Sequence, residues 1–170
     1  MTPIGTTQPP IARHPWIAFL LARIGLHEVA GAGDNPEIVA WLAACGLPAS
    51  MQHDATAWCG ATARAAVVSA GLVPPHGAAA ARNWVGWGTG LVAPIEGCIG
   101  VYERIDVADP THPHGHVGFP MGRRSPNDLV LGGNESNQIM IKPYLTARNL
   151  WYGWPPGLPL PAGAVVRADP

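Results

Sequence analysis

Charge is what this 170-residue chain has least of: only 12 % of its residues are Asp, Glu, Lys or Arg, ten basic against eleven acidic. With a formal net charge of −1 and no basic run beyond Arg123-Arg124, it lacks the electrostatic footprint of a nucleic-acid binder, so nucleic acid is not an expected partner. Long apolar runs are missing too. The nearest to one, Trp16 to Leu26, is interrupted by Arg23 and too short to cross a bilayer, which excludes membrane insertion at this stage. Nor does it read as a signal peptide, because Pro15 suits the first turn of an ordinary helix and the pattern continues into Glu28. Cysteine is scarce. Cys45, Cys59 and Cys98 cannot all pair, and no Cys-x-x-Cys occurs, which argues against a zinc ribbon or a thioredoxin-type redox motif. A Cys45–Cys98 bridge stays open, and at least one thiol is free.

Glycine and proline are plentiful, at 21 and 19 residues, so loops and turns must occupy much of the chain. Its length suits one domain that buries roughly two thirds of its unfolded surface without a disulfide framework. Residues 1–14 read as a Pro/Thr-rich arm, 15–155 as the domain and 156–170 as a Pro/Gly-rich tail. A first helix is expected over 15–26, with Trp16, Phe19, Leu20 and Ile24 inward, and a second from Asn35-Pro36 to Cys45, stopped by Gly46. Cys45 ends the apolar stripe Ile38, Trp41, Leu42, Cys45 and is read as packing. A third, Ala-rich helix is expected over 57–70, with Thr56 as cap, and a short fourth over 77–87. Beyond Pro94 the texture turns to alternating and β-branched runs, giving strands at 98–104, 116–121, 129–132, 138–141 and 150–154. Helices first and strands second make an α+β domain: N-terminal helices packed on a C-terminal antiparallel sheet.

The chemistry sits where these halves meet. Cys59 lies in the first turn of the third helix, where the unpaired N–H groups favour the thiolate, the form that attacks carbonyls. A cysteine nucleophile needs a base, and a third group that orients the base. His116, in the strand Gly115-His116-Val117-Gly118-Phe119, shares a face with Gly118 and is the expected base. Asn134, at the end of the next strand in Gly132-Gly133-Asn134-Glu135, is the first choice for the orienting group, and Glu135 the second. Asp54 and Gln52 could help with the oxyanion or could fix the loop before the helix, and the Cys59 N–H is the safer oxyanion donor. Trp58, Trp84 and Trp87 are candidates to line a substrate groove.

The sequences Asp54-x-Thr56-x-Trp58-Cys59, Gly115-His116-Val117-Gly118-Phe119 and Gly132-Gly133-Asn134-Glu135-Ser136-Asn137 resemble the CHAP and NlpC-type cysteine peptidases in content and order. Glu28-x-x-Gly31, Asn35-Pro36-x-Ile38 and Asn83-Trp84-x-x-Trp87-Gly88 are similar to a phage and bacterial subgroup of cell-wall hydrolases, so the likeness covers about residues 15 to 155. The chain departs from the subgroup at Glu135, where Gln is usual. The resemblance implies a papain-like fold and cleavage of a peptidoglycan amide bond, between sugar and peptide or within the peptide. It further implies no cofactor, a monomer, and synthesis in the cytoplasm followed by release to the wall through a holin-type pore or a secretion route. Two other readings compete. One is a non-catalytic wall-binding module that uses a Trp-lined groove for glycan. The other is a zinc hydrolase built on His112, His114 and His116, which recur at a two-residue period.

Overall fold

The computed structural model describes residues 14–104 and 114–168. Helix α1 (Pro15–Leu21) opens on a proline already set at the helical φ, and α2 (Pro36–Ala44) repeats the device with Asn35 as cap. The Asn35 side chain accepts from the N–H groups of Glu37 at 3.0 Å and Ile38 at 3.4 Å. A 3-10 turn (Ala49–Met51) leads to α3 (Cys59–Ser69), and a second (Ala81–Trp84) stands where a short fourth helix was expected. Six strands follow: β1 (Thr89–Gly90), β2 (Ile99–Arg104), β3 (His114–Arg124), β4 (Asn127–Glu135), β5 (Gln138–Leu145) and β6 (Asn149–Trp154), with a 3-10 turn (Thr146–Arg148) before the last. They form one antiparallel sheet in the order β1-β6-β2-β3-β4-β5. The protein is thus mixed helix and antiparallel sheet, with the helices first in the chain.

Helices α1, α2 and α3 share a buried core with one face of the sheet: Ile17, Leu20, Ile38, Leu42, Ala66 and Val67 meet Val117, Phe119, Leu131 and Ile139. The small side chains of α3 let it lie close to β3 and β4. A second cluster, built on Leu91, Cys98, Tyr102, Val130, Tyr152 and Trp154, packs separately. At its heart Asp128 is fully buried and accepts from Tyr102 Oη at 3.0 Å, Arg123 Nε at 3.0 Å, Thr146 Oγ1 at 3.0 Å and the Tyr152 hydroxyl. Four donors are what make a buried carboxylate tolerable.

Several expectations are corrected here. α1 ends five residues early, and Ile24 is 53 % exposed instead of inward. Thr56 does not cap α3; Trp58 occupies the cap position and offers no side-chain bond. β5 runs four residues past Ile141. All three cysteines are free, which closes the Cys45–Cys98 question. The expected arm lies, apart from His14, outside the described residues. The expected tail is docked as far as Arg167: Leu91 bridges Val166, Arg167 N–H bonds Gly90 O at 2.9 Å, and Trp154 Nε1 bonds Pro159 O at 3.1 Å.

Candidate active site

Cys59 is the first residue of α3, and with no side chain capping that end, the first-turn N–H groups are left to act on the sulfur. The backbone N–H groups of Val117 and Gly60 and the imidazole of His116 all interact with it. Burial alone would raise the thiol pKa, but the His116 contact and these N–H groups outweigh it and bring the value below that of an ordinary thiol. The sulfur is recessed, Cys59 being 5 % exposed, and His116 is fully buried.

His116 projects from β3 between two charged partners. Its Nε2 lies 2.8 Å from Glu135 Oε1, a close but bent ion-pair contact in which neither atom makes a hydrogen bond of good geometry. With Nε2 facing the carboxylate, Nδ1 is the nitrogen left for the thiol, and it too makes no hydrogen bond of good geometry. Burial would lower the imidazole pKa, yet Cys59 and Glu135 together raise it to about 9. Glu135 is shifted the other way: burial pushes it up, and His116, Tyr144 and Lys142 bring it below the usual carboxylate range. The three side chains form one coupled unit, in which thiolate, imidazolium and carboxylate stabilise each other.

Asn134 does not take the orienting role expected of it. The pairing of β4 with β5 slips between Gly132 and Glu135, and Asn134 sits at φ 58 inside that bulge. Strand alternation from Gly132, whose Cβ position would lie 2.9 Å from His116 Nε2, would carry Asn134 onto the imidazole face. The bulge shifts the parity by one and delivers Glu135 instead.

The remaining candidates serve the frame. Asp54 is 3 % exposed, and its Oδ2 accepts from the N–H groups of Val29 and Asn35, both at 2.7 Å, so it clamps the loop before α2 and offers nothing to an oxyanion. Gln52 donates to Leu47 O at 2.7 Å. Trp58, Trp84 and Trp87 are core residues, not a groove lining. Each indole N–H has an internal acceptor: Glu28 Oε1 at 2.8 Å, Ala78 O at 2.9 Å and Val73 O at 2.9 Å, respectively. Of the zinc alternative, His112 lies outside the described residues, and His114 is exposed while His116 is committed to Cys59 and Glu135. Among the described residues no group of three or more His, Cys, Asp or Glu is placed to hold a metal ion.

Two features went unread in the sequence. Tyr144, on the extension of β5, stacks on His116 with ring centroids 4.7 Å apart and planes 12° from parallel, and its hydroxyl interacts with Glu135. Lys142 Nζ stands 3.6 Å from Glu135 Oε2. The second feature is a groove of about 720 Å³, formed by residues 27–34, 53–55 and 136–138. Neither Cys59 nor His116 lines it, but Glu28, which holds Trp58, and Ser136, which follows Glu135, both do.

No protein-family model, curated protein or solved structure matches this chain, so the site is read from its own geometry.

Proposed function

We propose that the chain is a cysteine hydrolase that cleaves an amide bond of bacterial peptidoglycan on a papain-like arrangement of helices and sheet. The observation that carries this reading is the unit Cys59–His116–Glu135: a thiol at a helix start, in contact with an imidazole that a buried carboxylate holds at 2.8 Å. The substrate class comes from the motifs around these residues, which resemble the cell-wall hydrolases.

The Cys59 thiolate, its proton already held by His116, adds to the amide carbonyl. The oxyanion so formed is placed to accept from the Cys59 N–H, at the positive end of α3. Collapse breaks the C–N bond as the imidazolium passes its proton to the departing amine, leaving a thioester. Water then adds to the thioester with His116 as base, the C–S bond breaks, and the thiolate and a free carboxylate result. Throughout, Glu135 keeps Nε2 protonated and the ring in place. No cofactor enters these steps. The groove beside Glu28 would take a flanking part of the polymer. The enzyme acts as a monomer, is made in the cytoplasm, and reaches the wall through a holin-type pore or a secretion route.

Mass spectrometry of peptidoglycan digested by the wild type and by Cys59→Ala tests this directly. The wild type is expected to free one new amine, which names the bond as sugar–peptide or peptide–peptide, and the variant to free none. Equal digestion by the variant would remove the mechanism and assign the cleavage to a different catalytic group, and digestion by neither protein would leave a wall-binding module.

A further inference from the structure

We infer that the pocket shared by Tyr144, Arg104, Lys142 and Arg148 is an anion subsite, which takes a carboxylate of the peptide substrate beside the reacting groups; this rests on the hydrolase reading above.

The pocket has a volume of about 270 Å³, below the ~300 Å³ at which sites for whole drug-sized ligands begin, and so suits a single carboxylate with its attached carbons. Three elements bring its charges together. Arg104 ends β2 opposite His114, Lys142 and Tyr144 lie two apart on β5, and Arg148 stands in the 3-10 turn before β6. Glu135 already engages Lys142 at 3.6 Å, and Arg82 engages Glu103, the one carboxylate of the lining, at 3.6 Å, which leaves Arg104 and Arg148 as the cations facing the pocket. The planar guanidinium groups suit carboxylate oxygens, which they can grip two bonds at a time.

Tyr144 ties the pocket to the chemistry. Its ring lies flat on His116, and its hydroxyl senses Glu135, Arg104 and Cys59 at once. Burial, with the Glu135 charge added, pushes the phenol far above its ordinary value, so the hydroxyl stays a donor at every working pH. A carboxylate held there would sit one ring away from the imidazole, and so a short distance along the same peptide from the amide under attack. That makes the site a selector for peptides with a free carboxylate near the scissile bond.

Binding to the Cys59→Ala protein tests the proposal by calorimetry with two probes: a soluble muropeptide with free carboxylates, and the same molecule with those carboxylates converted to amides. The free acid is expected to bind at least tenfold more tightly. In the Arg104→Gln/Arg148→Gln double variant that preference is expected to vanish, and in Arg104→Lys/Arg148→Lys to return in part. Both arginines are exposed, so the fold tolerates the changes. Equal affinity for acid and amide, a preference that survives the Gln variants, or binding of neither probe would overturn the subsite. Turnover by the wild type separates the two levels of failure. Cleavage of acid and amide with the same KM removes the subsite alone, whereas cleavage of neither probe nor of intact peptidoglycan removes the hydrolase reading with it.

Discussion

Glu135 and Asn134 stand side by side at the end of β4, and they differ in both charge and direction. Glu135 is buried against His116 with its Oε1 at 2.8 Å from Nε2, while Asn134 supplies the positive φ that makes the bulge. Replacing Asn134 by Gly keeps that backbone state at no steric cost, so kcat/KM is expected to stay within about twofold of the wild type. Glu135→Ala strips a buried imidazolium of its counter-charge. Breaking a buried pair in this way costs about 3–5 kcal/mol of stability, measurable by urea unfolding, and loss of the orienting group costs roughly 10²–10⁴ in kcat. Glu135→Gln, nearly equal in volume, isolates the charge. The imidazole of the wild type holds its proton up to about pH 9, so activity should fall on the alkaline side only as pH passes that value. Without the carboxylate one of the two causes that raise the imidazole pKa is gone, and the alkaline limb in the Gln variant should move to lower pH. An unmoved limb, or an Asn134→Gly protein as inactive as Glu135→Ala, would reassign the orienting role.

At the scale of elements, the start of α3 decides where the sulfur sits, and Gly60 decides how close that start approaches its neighbour. A Cβ there would run into the backbone carbonyl oxygens of Ala78 and Ala79. Alanine is the better helix former by about 1 kcal/mol, so propensity alone makes Gly60→Ala stabilising. The obstacle is backbone, which cannot rotate aside, and overpacking of this kind costs about 1–3 kcal/mol, so the clash should win. The variant is expected to unfold at lower urea and, since Cys59 moves with the helix start, to lose kcat. A protein of unchanged stability would mean that the 78–80 segment gives way freely. The same elements separate what was legible in the sequence from what was not. Asn35-Pro36 and Gly46 marked α2 at both ends because capping is local chemistry. The bulge that selects Glu135 depends on the pairing of β4 with β5, and no residue of β4 announces it alone. Lys142-Pro143 broke the apolar alternation, which hid the end of β5 and with it Tyr144. The tryptophan candidates lie in the core instead of a groove because the indole N–H groups of Trp84 and Trp87 find backbone acceptors that permit burial.

Across the whole molecule, a chain of near-zero net charge keeps its costliest charges inside, in two clusters linked by aromatic rings. Tyr102 donates to Asp128 and packs on Tyr144 at 5.2 Å, and Tyr144 stacks on His116 at 4.7 Å. How the Cys59–His116 pair titrates therefore shapes global stability, and the sign can be worked out. Between about pH 6.5, the ordinary histidine value, and about 9, the unfolded chain carries one proton on the pair, on the thiol. His116, raised, contributes fully below about 6.5 and loses that contribution as pH rises toward about 9, while Cys59, lowered, contributes fully above about 9 and loses its contribution as pH falls, so between these values the two act with opposite sign. In Cys59→Ala the thiol's opposing contribution is gone, and the imidazole keeps only Glu135 to raise it. The raise that Glu135 sustains is lost as pH climbs above about 6.5, so the variant should weaken with rising pH more steeply than the wild type, whose lowered thiol gains over the same range. Urea unfolding of both proteins in reducing buffer from pH 5 to 10 reads the difference. Parallel curves would mean that the thiol keeps its proton in the native state, and the thiolate–imidazolium pair on which the chemistry depends would have to be abandoned.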